Sequence, residues 1–245
     1  MRLQHNLVFG SINVETTGGT GVTYMTIRHR IENSSILAWL LAAVAGSYLA
    51  LCNRTTTWEV RGEDNLRLAL ADGPILLLMW HERSLMGAVH WPVDARQLSS
   101  LYASSPIGRV SGALQRRLGL MPMEMSNKQS NLGASRVILR RVREGVCIGM
   151  TGDGPLGPIG VVKNAPLEWA RSTNIPIFAY AFSTKRHKRL DSWDHMMLPL
   201  PFTSGGKVFV RLDLALERKG DSGRREIGAL MTQAVKEADT LSRII

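Results

Sequence analysis

Short, densely apolar runs alternate along this chain with longer stretches in which apolar residues recur every three or four positions. Ile75–Trp80 (ILLLMW) lies between Asp72-Gly73-Pro74 and His81-Glu82-Arg83. It is too short for a helix and reads as a strand buried on both faces. Val146–Met150 and Ile177–Phe182 share that character, and Ser99–Ala103 is a weaker version. Thr56–Gly62 (TTWEVRG) and Val208–Leu216 alternate as half-exposed strands. Between them the spacing predicts helices over Glu63–Ala71, Arg109–Leu118, Ser130–Glu144, Ala165–Ser172 and Arg225–Arg243. In the third of these Ala134, Ile138 and Val142 share one face, Arg136, Arg140 and Arg143 another, and Gly145 suits the stop. In the last, Ile227, Leu230, Met231 and Val235 face inward. Strands alternating with helices predict an α/β fold, a mostly parallel mixed sheet flanked by helices. In such sheets ligands gather beyond the carboxyl ends of the strands, where His81 and Asp153 both fall.

One segment breaks this pattern. No charged residue lies between Glu32 and Arg54, and Ile36–Cys52 is nearly all apolar. As a helix it would be about 26 Å long at ~1.5 Å per residue, slightly under a hydrocarbon core. It reads as a membrane-associated helix, with a buried core helix as the alternative. The chain then divides into a flexible polar tail over residues 1–24, this hydrophobic region over 25–54, and an α/β domain over 55–245. "GGTG" within the tail lacks the flanking strand and helix of a nucleotide loop, and Met25 is an alternative start. Arg28 and Arg30 on one side balance Arg54 and Arg61 on the other, so charge does not set an orientation.

Charge narrows the partners. Thirty Lys and Arg against 20 Asp and Glu give +10, which calls for anionic partners. Four tyrosines and five phenylalanines are few for a surface that stacks nucleic-acid bases, so no nucleic acid is expected and a lipid surface is favoured. The two cysteines, Cys52 and Cys147, have neither metal-ligand nor disulfide-framework spacing and imply unpaired thiols in a reducing compartment. No metal site is implied.

His81 is the strongest chemical candidate. A neutral imidazole accepts a hydroxyl proton near neutral pH, help worth about 10²- to 10⁴-fold. Arg83 could hold an anionic group. Thr151–Pro158 (TGDGPLGP) is a rigid turn whose Gly154, Pro155 and Gly157 let backbone N–H groups approach a bound oxygen, and whose Asp153 could orient His81 or the acceptor. Each has a plain structural alternative: a helix-start histidine, a surface arginine, a capped turn. Thr184–Asp194 (TKRHKRLDSWD) is basic, with Lys185 and Arg186 the candidates for lipid headgroups or an acidic carrier, and a solvated loop as the alternative.

Trp80-His81-Glu82-Arg83, Asp153-Gly154-Pro155-Leu156-Gly157-Pro158, Ser192-Trp193-Asp194 and Pro199-Leu200-Pro201-Phe202 occur in an order that resembles one bacterial branch of the lysophospholipid acyltransferase superfamily, formerly a domain of unknown function. The resemblance covers roughly Glu59 to Asp213. It implies an acyltransferase moving a fatty acyl group from acyl-CoA or acyl carrier protein to a hydroxyl of a lysophospholipid or lipid A-type acceptor. It also implies phospholipid biosynthesis at the cytoplasmic face of a bacterial inner membrane, with no bound cofactor. By that resemblance His81 is the base, Asp153 the preferred partner of its ring, and the turn after Asp153 an acceptor-binding segment. The superfamily's acid five residues after the histidine is replaced by Met86, and Ile107 stands where the branch carries an aspartate. Two rival readings follow: a non-catalytic lipid-binding relative, and a soluble phosphate-handling enzyme built on the glycine–proline turn.

Overall fold

A computed structural model describes residues 34–125, 132–212 and 221–243. The expected tail over 1–24, the start at Met25, and the last strand's extension beyond Leu212 lie outside the described residues. Helix α1 (Ser35–Thr55) leads into β1 (Thr56–Arg61), α2 (Glu63–Asp72) and β2 (Leu76–Met79), followed by a single 3₁₀ turn, His81–Arg83. Next come α3 (Gly87–His90), β3 (Leu98–Ala103), α4 (Pro106–Arg117), β4 (Met123–Met125), α5 (Leu132–Arg143), β5 (Cys147–Thr151) and α6 (Asn164–Thr173). The chain closes with β6 (Ile177–Thr184), a hairpin of β7 (His187–Arg189) and β8 (Met197–Pro199), then β9 (Thr203–Leu212) and α7 (Asp221–Ser242).

Seven strands form one sheet in the order β1-β9-β6-β2-β5-β3-β4. β2 pairs in parallel with both β5 and β6, and β9 runs antiparallel to β6 and parallel to β1. The sheet is therefore mixed and mostly parallel, with helices on both faces, and β2 is its middle strand.

That position explains the unbroken apolar run of β2. Leu77 and Met79 pack on one face with Leu66, Leu70, Phe178, Tyr180 and the α1 residues Ala42 and Leu49. Leu76, Leu78 and Trp80 pack on the other with Ile138 of α5, Leu167 of α6 and Ile227 and Met231 of α7. Each fully buried leucine here contributes roughly 1.5–3 kcal/mol. A polar residue at any of these positions would face core whichever way it pointed.

The differences from the expected elements have local causes. α4 begins at Pro106 because Ser105 caps it, its Oγ accepting the Gly108 N–H at 3.0 Å. β9 begins at Thr203, ahead of the expected Val208, and its Gly205-Gly206 pair is a packing requirement. A Cβ on Gly206 would sit 2.4 Å from the Ala238 carbonyl of α7, so only glycine lets that helix lie this close. Thr184–Asp194, expected as a loop, forms half of the β7–β8 hairpin.

α1 is covered along one side only. Ala38, Ala42, Leu49 and Cys52 are buried, whereas Ile36 is 74% and Val44 71% exposed. By length and composition it is long and apolar enough to cross a membrane, while its buried side packs on the domain core through Ala42 and Leu49.

Candidate active site

The site begins where β2 ends. Parallel pairing sets Met79 beside Thr151, and the Gly152 N–H donates to the Met79 carbonyl at 2.9 Å. His81 and Asp153, each two residues beyond that pair, are thus delivered to the same edge. There the backbone N–H of His81 donates to Asp153 Oδ1 at 3.0 Å. Asp153 therefore pins the main chain at His81 and does not touch the ring, which corrects the expected pairing. Its carboxyl is 1% exposed. Burial pushes its pKa above the ordinary aspartate value, against the pull of the His81 N–H.

The ring has a different partner. Nδ1 of His81 lies 2.6 Å from Oδ2 of Asp194, carried in the segment joining β7 and β8. Asp194 is 2% exposed and His81 25% at the side chain. Ser192 Oγ donates to the other carboxylate oxygen at 2.6 Å. Burial alone would raise the Asp194 pKa, but the Ser192 hydroxyl and the His81 ring outweigh it and hold the carboxyl below its ordinary value. A carboxylate can only accept, so Nδ1 is the donor in this contact, and in the neutral imidazole Nε2 is the nitrogen that presents a lone pair. Among the described residues Nε2 of His81 has no hydrogen-bond partner.

Trp193 leans over this pair, its ring centroid 5.1 Å from that of His81. Gly157 makes room for it: a Cβ there would meet the indole at 2.8 Å, on a backbone with φ of +67°. The turn after β5 and the hairpin after β6 thus interlock above the histidine. Within that turn Gly154 is also left-handed, Pro155 is exposed, and Lys163 Nζ bonds the Gly157 carbonyl. That lysine lies beyond the turn and is spent on holding it.

Arg83 does not face the site. It is 3% exposed, forks onto Asp239 of α7 at 2.9 and 3.2 Å, and donates to the Phe182 carbonyl and Ser183 Oγ. A 3₁₀ turn advances about 120° per residue, so residues two apart point well away from each other. His81 goes to the edge and Arg83 goes under it. Glu82 bridges the two layers, contacting Arg83 at 3.1 Å and Arg189 of β7 at 2.7 Å.

Lys185 and Arg186 are exposed at the base of the hairpin, the end opposite Asp194. Arg186 caps the carbonyls of Pro201 and Phe202 at 3.5 and 3.4 Å. Met86, in the position of the missing acid, is completely buried, and Ile107 is 80% exposed at the start of α4. Among the described residues no group of three or more His, Cys, Asp or Glu could hold a metal ion. Cys52 and Cys147 are buried free thiols, the latter pushed up to about 11 by burial.

Fold and site together define an α/β protein with a hydrogen-bonded histidine–aspartate pair at the carboxyl edge of its sheet. No family model matches the chain. An uncharacterized protein of Rickettsia prowazekii is 26% identical over 188 residues, covering 76% of this chain and 85% of that one. Among solved structures, the 1-acyl-sn-glycerophosphate acyltransferase of Thermotoga maritima aligns with a TM-score of 0.46 at 14% identity, over 91% of this chain and 84% of that one. At those levels neither match assigns a family or a reaction.

Proposed function

We propose that the protein is a membrane-associated acyltransferase that moves a fatty acyl group from a thioester to a lipid hydroxyl. The observation that carries this reading is the 2.6 Å contact between His81 Nδ1 and Asp194, which in the neutral ring makes Nε2 the proton acceptor, at a partly open edge. In the proposed step Nε2 takes the proton of the acceptor hydroxyl as its oxygen attacks the thioester carbonyl carbon. The C–S bond then breaks, and the departing thiolate takes the proton back from the imidazolium. Asp194 stays ionised throughout, fixing the tautomer and stabilising the transient cation.

Acyl-CoA and acyl carrier protein both fit as donors, and a lysophospholipid or a lipid A-type sugar as acceptor. The exposed α1 and the charge of +10 support a membrane location, and the buried free thiols suit the cytoplasmic face of a bacterial inner membrane. The loss of an acid at Met86 is no argument for a non-catalytic protein, because Asp194 occupies the role. The glycine–proline turn has no lysine of its own for a phosphate cradle, and Lys163 beyond it bonds the Gly157 carbonyl.

The test is transfer of labelled acyl groups from acyl-CoA or acyl carrier protein to membrane lipid by the purified full chain. Wild-type transfer that His81→Ala and Asp194→Asn abolish supports the reading. Background-level signal from all three proteins, with both donors, overturns it in favour of a binding role.

A further inference from the structure

The aspartate that meets the His81 ring is not carried by the seven-stranded sheet. It lies between β7 and β8, which form a two-stranded hairpin of three residues each. A hairpin of that size is marginal by itself. At its base it is tied to α1, where Tyr48 Oη donates to the Pro199 carbonyl at 2.7 Å. Towards the tip the Leu190 N–H still donates to the Met196 carbonyl at 3.0 Å, and beyond that point side chains take over.

One of these side chains reaches both halves of the site. Arg189, the last residue of β7, places a single guanidinium nitrogen, Nη1, 2.7 Å from Glu82 Oε2 and 3.1 Å from the His195 carbonyl oxygen. Glu82 follows His81 in the chain, and His195 follows Asp194. The arginine thus spans the same gap as the histidine–aspartate contact, one residue further along on each side. Neither end is loose. Glu82 is held from beneath by Arg83 at 3.1 Å, and Arg83 is buried and forked onto Asp239 of α7. His195 stands at φ +49°, a left-handed backbone that a non-glycine residue keeps where its surroundings impose it. The Arg189 bond to its carbonyl and the bond from its own N–H to the Ser192 carbonyl, at 3.0 Å, hold it there.

We infer that Arg189 is a positioning residue: with Glu82 it sets the distance between the turn that carries His81 and the hairpin tip that carries Asp194. Its value to the reaction rests on the acyltransferase reading above, whereas the placement itself does not. Two magnitudes separate this role from plain stabilisation. The Arg189 side chain is 36% exposed and that of Glu82 22%, and an ion pair so placed adds little to global stability. A displacement of about 1 Å at a reacting group, in contrast, costs up to about 10²-fold in rate. Loss of the clamp therefore shows in the ring and in kcat, and hardly in unfolding.

The test uses the full chain, purified in detergent micelles with ¹⁵N-labelled histidine, as wild type, Arg189→Met and Arg189→Lys. Ring-nitrogen spectra at about pH 8, above the ordinary histidine range, report the tautomer of His81, whose signals are assigned by their loss in His81→Gln. Wild type is expected to give one ring form, protonated at Nδ1. Arg189→Met is expected to give averaged ring nitrogens, a kcat lowered roughly 10- to 100-fold with KM within about twofold, and a Tm lower by no more than about 4 °C. Arg189→Lys, which keeps the cation, is expected to recover part of both the ring signal and kcat. An unchanged His81 signal in Arg189→Met overturns the inference, and so does a wild type whose ring is not fixed at Nδ1. A larger fall in Tm with no recovery in Arg189→Lys overturns it too, by making Arg189 a stabilising residue alone. The spectra need no turnover. If wild type acylates no lipid and the ring still responds as expected, the acyltransferase reading falls and the clamp stands.

Discussion

Two aspartates converge on one histidine, and they do opposite things. Asp153 comes from the turn after β5, close in the sheet to β2, and takes the main-chain N–H of His81. Asp194 comes from the hairpin after β6 and takes the ring. Both are almost wholly buried, yet the first is pushed up in pKa and the second held down. The difference lies in what faces them: Asp153 Oδ2 has no partner among the described residues, whereas both oxygens of Asp194 are engaged. Burial alone therefore does not set which way a carboxyl's pKa moves; the atoms that meet it do.

The comparison breaks most visibly at the ring. His81→Ala is expected to lower kcat about 10²- to 10⁴-fold, and Asp194→Asn to approach that loss, measured by acyl transfer. Next in size is the support beneath the turn. Arg83→Met leaves Asp239 and Glu82 without their buried partner and is expected to cost about 3–5 kcal/mol by denaturant unfolding. Asp153→Ala should cost about 1–3 kcal/mol, because the His81 N–H loses its acceptor. Asp153→Asn keeps that acceptor and removes a buried charge, so its stability should match or exceed the wild type.

The smallest effect is on acidity. A depressed carboxyl pKa stabilises the fold above the unfolded value, and that stabilisation disappears as pH falls through the folded one. The Tm advantage of wild type over Asp194→Asn is therefore expected to hold near neutrality and to shrink below about pH 4. A gap that widens on acidification would mean that Asp194 is not the ionised partner.

Much of this architecture was legible from periodicity. The apolar run Ile75–Trp80 read as a strand buried on both faces, and its end placed His81 at the ligand-bearing edge. The glycine–proline turn placed Asp153 beside it. Asp194 was visible only within Ser192-Trp193-Asp194, as one motif of a resemblance, because no local pattern encodes a contact 113 residues apart. A serine two residues before an aspartate, both next to an aromatic residue, is the signal that could have raised it. Arg83 was misplaced because nearness in sequence was taken as nearness in the site, and the tight turn sends alternate side chains apart. The helix α1 was recognisable by composition, but its attachment to α4 and to Pro199 depends on chain segments that hydropathy does not connect.

The separation of His81 from Asp194 also bears on synthesis. A ribosome has made the histidine, the central strand and most of the sheet long before the carboxylate that tunes the ring emerges. Until β7 and β8 close, the nascent chain holds an imidazole whose Nδ1 has no carboxylate to fix its tautomer. A product truncated ahead of His187 would keep the strand that carries His81 and lose Asp194, so the ring's orientation is fixed only once the hairpin is complete.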